Sequence, residues 1–300
     1  MAVWSNYRND SFASLTRVSP ISGQRLHEVS VCSYQEYSFP PVQDPYCYRN
    51  GPGTLSPRGL TAAVIGMGLH PCPAPEVACT SEALRLLPLE GEQTVIPLTK
   101  PVGIRLVNEE GYDRVRWSPD GRQLLIDRPL APRGRHGVFV APLNNVNELT
   151  LVAEGSEADW SSHGRIVLVR GSNLYVGRLR GGFRRLTFRG GTEPSWSPRG
   201  RWLAFVRKGD LYAISSRGGK PRRITYRGGR SPVWSPDGKQ IAFLRSRNQP
   251  GGRVTFLYAV RWRTRAPARR IGDDPLDEAD QGVGVGSVVR PPPDWQVRPR

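Results

Sequence analysis

The chain has 300 residues, a formal net charge of +17, 38% hydrophobic residues, 33 glycines and 28 prolines. No apolar run approaches the ~20 residues of a membrane-spanning helix, and Met1-Ala2-Val3-Trp4-Ser5-Asn6-Tyr7 shows neither the basic nor the long apolar part of a signal peptide. The hydrophobic content is low for a helical enzyme and adequate for a sheet protein that buries one narrow layer at a time.

The positive charge is arginine: only Lys100, Lys208, Lys220 and Lys239 are lysine. An anionic partner is one reading (nucleic acid, a cell-wall polymer or an acidic protein face), and a solvated basic surface is the other. The arginines sit at turn and outer-strand positions rather than in one stripe interleaved with aromatics. A single-strand nucleic-acid groove needs such a stripe, so nucleic acid is not the expected partner.

In chain order, Ala2–Asn6, 14–18 and 26–31 read as short strands. Four cysteines follow: Cys32, Cys47, Cys72 and Cys79. Three pairings are open to them, and the sequential one, Cys32–Cys47 and Cys72–Cys79, closes two short loops. Zinc-type Cys-x-x-Cys spacing is missing, so disulfides in an oxidising compartment are the expectation.

A turn then begins to recur. Leu55-Ser56-Pro57-Arg58-Gly59 is a weak copy. Trp117-Ser118-Pro119-Asp120-Gly121, Trp160-Ser161-Ser162-His163-Gly164, Trp196-Ser197-Pro198-Arg199-Gly200 and Trp234-Ser235-Pro236-Asp237-Gly238 are better ones, spaced 43, 36 and 38 residues apart. Proline after the serine presets φ for a type I turn, and glycine suits its last position. The spacing fits a four-stranded propeller blade.

Each interval fills alike. After the turn comes a strand such as 165–169 or 240–244, then a third such as Asp210-Leu211-Tyr212-Ala213-Ile214. A fourth closes the unit at 148–152, 185–188, 223–226 or 268–271. Arg189-Gly190-Gly191 and Arg227-Gly228-Gly229 return the chain to the next inner strand, with glycine permitting positive φ.

The N-terminal strands match the second, third and fourth of a blade, and Pro293-Asp294-Trp295-Gln296-Val297 supplies the first. The expected fold is therefore all-β: one six-bladed β-propeller of four-stranded antiparallel blades over residues 1–300, closed by pairing of the N- and C-terminal strands. Its blades are 1–50 with 290–300, then 51–105, 106–153, 154–190, 191–228 and 229–289.

These motifs resemble the TolB-like six-bladed β-propellers, which carry Trp-Ser-Pro-Asp-Gly at the first turn and Asp-Leu-Tyr on the third strand. The resemblance covers Arg114–Ile271 and the terminal Pro-Asp-Trp-Gln. Over residues 1–105 it rests on the Leu55 turn alone. It implies a periplasmic or secreted scaffold, monomeric and without a cofactor, that binds another protein or an anionic envelope polymer. The archetype's separate N-terminal domain has no counterpart in these residues.

Catalysis leaves weaker traces. His27, His70, His136 and His163 are scattered among blades. No Gly-x-Ser-x-Gly elbow is present, so the hydrolase half of the prolyl oligopeptidase family, which also carries a propeller, is missing. Gly282-Val283-Gly284-Val285-Gly286 lacks the spacing of a phosphate loop. A turn Asp such as Asp120 or Asp237 caps its own backbone. The expectation is a non-enzyme with no catalytic, cofactor or metal site. The alternatives are an orphaned hydrolase propeller and a metal-dependent lactonase-type propeller.

The candidate site is geometric. Connections from fourth to first strands ring one mouth of a propeller channel. Here they hold Glu110, Asp113, Glu157, Asp159, Glu193 and Arg230, an acidic cluster facing one arginine that could take a cation or the basic tail of a partner. Trp117, Trp160, Trp196, Trp234 and Trp295 recur once per blade and are expected to wedge between adjacent sheets.

Overall fold

The structure, a computed structural model, describes residues 2–6, 13–18, 25–30, 49–50, 54–57, 61–71, 78–88, 94–97, 114–130, 135–250, 252–264 and 266–271. Their strands form six sheets, with no helix among them. None of the described residues therefore forms a helix long and apolar enough to cross a membrane.

The first sheet orders β1 (Ala2–Asn6), β2 (Ala13–Val18) and β3 (Arg25–Ser30) sequentially, as expected for the N-terminal strands. The next contains β4 (Arg49–Asn50), β5 (Thr54–Leu55), β6 (Thr61–Pro71), β7 (Ala78–Pro88) and β8 (Thr94–Pro97). There β6 and β7 make a long antiparallel hairpin, β8 flanks β7, and β4 and β5 both pair with β6.

Four sheets of four strands follow, each meandering from one edge to the other. They are β9 (Arg114–Trp117), β10 (Gln123–Leu130), β11 (Arg135–Pro142) and β12 (Thr150–Glu154), then β13 (Ser156–Trp160), β14 (Arg165–Arg170), β15 (Asn173–Arg178) and β16 (Arg184–Arg185). The third is β17 (Thr192–Trp196), β18 (Trp202–Arg207), β19 (Asp210–Ser215) and β20 (Arg222–Arg223). The fourth is β21 (Arg230–Trp234), β22 (Gln240–Gln249), β23 (Gly252–Arg261) and β24 (Arg269–Arg270).

By contacts the chain divides into two compact units, one chiefly residues 28–156 and the other chiefly 157–297. In the second, Trp196 packs on Val167, Leu174 and Phe205, and Trp234 packs on Ala204, Leu211 and Phe243. Both tryptophans thus sit between consecutive sheets, 6% and 4% exposed. In the first unit, Trp117 packs beside Ala63, Ile65 and Leu84. Trp160 is only half-buried, and Trp295 lies outside the described residues.

The recurrent turn forms as its residues require. The Ser197 carbonyl accepts from the Gly200 amide at 2.7 Å, Gly200 holds φ 61°, and the Ser197 hydroxyl accepts from the Trp202 amide at 3.0 Å. The weak copy behaves the same way, with the Thr61 amide donating to Ser56 Oγ at 3.2 Å. Where the turn carries aspartate, the side chain caps it. Asp237 Oδ1 accepts from Ser235 Oγ at 2.6 Å and from the Lys239 amide at 2.9 Å, and Asp120 does likewise with Ser118 and Arg122. These bonds hold both carboxyls below the ordinary carboxylate range, the serine hydroxyl first among the causes.

The fourth strands β16, β20 and β24 are shorter than expected, at 2 residues each, whereas β12 has the expected 5. The ladder stops at Arg185 and Arg223 because the next amides, Leu186 and Ile224, both bond back at 2.7 Å to Leu174 and Leu211 carbonyls of the third strand. Short, arginine-bearing edges resist edge-to-edge pairing.

Candidate functional site

The candidate ring residues within the described chain are Glu157, Asp159, Glu193 and Arg230. They lie in the inner strands β13, β17 and β21 rather than in the connections that precede them. Glu110 and Asp113 lie outside the described residues.

The inner strands share an unusual backbone. Glu157, Glu193 and Ser231 occupy equivalent positions, three residues before the tryptophan, with φ of 54°, 50° and 52°. The left-handed region costs a non-glycine residue about 1 kcal/mol or more. Register shifts between Thr192 and Ser195, and between Arg230 and Val233, mark a bulge there. The carboxylate one sheet earlier takes the amide at that position. Glu157 Oε2 accepts from the Glu193 amide, and Glu193 Oε2 accepts from the Ser231 amide and, at 3.2 Å, from its hydroxyl. Asp159 Oδ2 accepts from the Trp196 amide at 2.9 Å. The acids of the ring thus bond sheet to sheet, and a ligand on this face competes with those bonds.

A second link runs beside the first. The Trp196 indole N–H donates to the Asp159 carbonyl at 3.1 Å, Trp234 to Ser195 at 3.2 Å, and Trp117 to Thr54 at 3.2 Å. In each, the acceptor directly precedes the turn residue of the earlier copy. Thr54 precedes Leu55, so the leucine copy keeps the geometry without its own indole. The Trp160 nitrogen is buried with no hydrogen-bond partner among the described residues.

Arg230 is half-buried beside Glu193 and donates to Thr255 Oγ1 at 3.3 Å. Burial pushes its pKa down, and the Glu193 charge opposes that shift. Among the described residues, no group of three or more His, Cys, Asp or Glu side chains could hold a metal ion. Of the cysteines, Cys79 lies in β7, and Cys32, Cys47 and Cys72 lie outside the described residues.

The Asp-Leu-Tyr motif and the arginines have roles that turn and charge counting missed. Buried Asp210 accepts from Thr225 Oγ1 at 3.0 Å, from the Gly228 amide at 2.9 Å and from Arg223. This ties the third strand to the fourth and to the return loop. Asn173 fills the equivalent place and accepts from the Gly190 amide at 3.1 Å. Arg207 donates to the Gly190 carbonyl at 2.9 Å, and Arg245 donates to that of Gly228 at 3.1 Å. Each guanidinium also stacks on two aromatic rings of its own sheet. The repeat of Arg two residues after Phe205 and Phe243 was the available signal.

Charge is distributed unevenly. Residues 161–271 hold 26 Arg and Lys but only three acids, Glu193, Asp210 and Asp237. Each of the three is engaged internally, as described above. The basic surface of this stretch has no acid of its own left to neutralise it.

Successive four-stranded antiparallel meanders, with Trp117, Trp196 and Trp234 packed against the sheet before their own, define a β-propeller. Comparison with solved structures agrees. A protein described as TolB from Agrobacterium tumefaciens matches with a TM-score of 0.54 and 18% identity, over 77% of this chain and 82% of that one. A puromycin-hydrolysing peptidase from Mycobacterium tuberculosis matches with a TM-score of 0.59 and 16% identity, over 90% of this chain and 45% of that one. The present chain therefore spans under half of the peptidase. No family model and no curated protein sequence matches it. What it shares with these two proteins is the propeller fold.

Proposed function

We propose that the protein is a non-enzymatic, TolB-like β-propeller scaffold, monomeric and without a cofactor, that binds an acidic partner. The partner is another protein or an anionic envelope polymer. The observation that carries this reading is the stretch 161–271, where 26 cations face three internally bonded acids. Such a surface attracts polyanions and accelerates their capture. The reading includes six blades, with Pro293–Val297 completing the sheet of β1–β3, and an extracytoplasmic location where the four cysteines pair. A channel-mouth role for Glu110, Asp113, Glu157, Asp159, Glu193 and Arg230 is a lesser part of it.

The test combines two measurements on the full chain: binding to acidic proteins and polymers across a salt series, and turnover of peptidase and ester substrates. Saturable binding that weakens with salt, without turnover, is the expected result. Hydrolysis that survives repurification overturns it. Thiol labelling of the exported protein should find no free cysteine, and four labelled thiols would remove the disulfide proposal.

The match to the peptidase supports a second reading, a propeller module that works beside a hydrolase domain. That reading expects stable binding to a separately supplied hydrolase domain and altered size selection of its peptides. The scaffold reading expects neither.

A further inference from the structure

Four arginines converge where β14, β15 and β16 meet the turn after β19. Arg165 opens β14 opposite its register partner Arg178 at the end of β15. Its guanidinium lies 5.3 Å from the Trp196 ring centroid and donates to Ser216 Oγ at 3.2 Å and to the Ser216 carbonyl at 3.0 Å. Arg184, the first residue of β16, donates to that same carbonyl at 2.6 Å. Two guanidinium groups therefore share one neutral oxygen, and Arg217 follows directly in sequence. Arg178, Arg184 and Arg217 are exposed, and Ser216 is buried.

Among the described residues, no acid contributes to the charges acting on Arg165. After burial, the charges of Arg184, Arg178 and Arg217 are what lower the pKa of Arg165. Gathered like charges work against the fold unless an anion completes them. Arginine rather than lysine also bears on the ligand, because planar forks grip phosphate oxygens two at a time.

We infer that this seam is an oxyanion site for the phosphate groups of a linear polyanion. The inference rests on the acidic-partner reading and narrows it. Donors reaching one point from separate strands suit a tetrahedral phosphate better than a planar carboxylate. Recognition runs through the polymer backbone: the exposed rings of Phe188 and Tyr226 are each overlain by an arginine of their own sheet, Arg185 at 4.9 Å and Arg223 at 4.6 Å. Each ring has one face taken, which makes it a poor platform for bases.

The test uses inorganic polyphosphate, poly-glutamate and single-stranded DNA homopolymers of matched charge, titrated against the full chain. Polyphosphate should bind most tightly, and binding should weaken steeply with salt. R178Q/R184Q should weaken it by about tenfold or more, the scale of losing charge-assisted bonds. R189Q/R227Q, which removes the same charge from exposed return loops, should change it by less than about threefold. Should R178Q/R184Q melt early, R217Q at an exposed turn serves instead, with about a threefold loss and unchanged melting.

Equal losses in the two double variants overturn the site and leave the scaffold reading standing. Poly-glutamate binding as tightly as polyphosphate overturns the phosphate assignment. A DNA homopolymer that binds more tightly than polyphosphate, with base preference, overturns backbone recognition. A wild-type chain that binds none of the three overturns the scaffold reading as well.

Discussion

Residues 157–271 and residues 49–156 are built of the same antiparallel sheets yet hold together differently. The later stretch repeats the same bonds in consecutive sheets: carboxylate to left-handed amide, indole to carbonyl, and strand-three aspartate or asparagine to return loop. Among the described residues of the earlier stretch, the indole link from Trp117 to Thr54 recurs, the Asp120 turn cap and the Arg135–Glu154 ion pair are local, and apolar packing gathers around Ala63, Leu84, Leu124 and Ile126. Repeated polar ties fix each sheet's place, whereas apolar packing accepts varied sequence. The first leaves a sequence signature and the second hardly does.

Tryptophan substitution should break the comparison most sharply. Trp196→Ala removes a buried ring and its indole bond, and should cost about 3–5 kcal/mol in denaturant unfolding. Trp160→Ala, half-buried and with its nitrogen unbonded among the described residues, should cost clearly less. Equal costs would mean that the indole link adds nothing.

Return-loop glycines come next. Gly228 needs its φ of 81°, but Gly229 is glycine for space: a Cβ there would lie 2.9 Å from the Phe243 ring. Gly229→Ala should therefore cost about 1–3 kcal/mol by overpacking. Gly182→Ala, in open space, should be close to neutral in the same assay.

Asp210→Ala leaves buried donors unmatched and should cost about 1–3 kcal/mol. Asp210→Asn should recover most of it, because Asn173 already performs that task one sheet earlier. Glu193→Gln should lower stability by about 1 kcal/mol through a weaker bond to the Ser231 amide. Calcium affinity should not change, and a loss of calcium binding would return the ring to candidacy as a cation site.

The smallest effect is with pH. Asp120 and Asp237 have folded pKa values below their ordinary 3.8, so what they contribute is complete above that value and is lost as pH falls through the lowered one. Melting of Asp237→Ala should fall less steeply than wild type below about pH 4. Parallel curves would remove the turn cap as a source of acid sensitivity.

Sheet order and turn chemistry were legible because Trp-Ser-Pro-Asp-Gly and Arg-Gly-Gly join a fixed backbone requirement to a fixed spacing. The Leu55 copy was legible for the same reason, since its serine and proline survive where its tryptophan does not. The candidate ring was legible only as residues near one another. That Glu157 and Glu193 spend their carboxylates on left-handed amides depends on a bulge that no local pattern announces. Arginine read as a count also concealed that Arg207 and Arg245 brace loops while Arg165 and Arg184 crowd one carbonyl.

The indole links also have a direction. In each, the donor lies on the later repeat and the acceptor on a strand already made, from Thr54 to Trp117, from Asp159 to Trp196 and from Ser195 to Trp234. A chain emerging from the ribosome can therefore seat each tryptophan against a completed predecessor, without waiting for residues still to come. Truncation from the C-terminus removes donors and leaves ordinary carbonyls at the new edge, which water can satisfy. Truncation from the N-terminus strips a tryptophan of its acceptor, and the resulting stump exposes an aromatic flank prone to association.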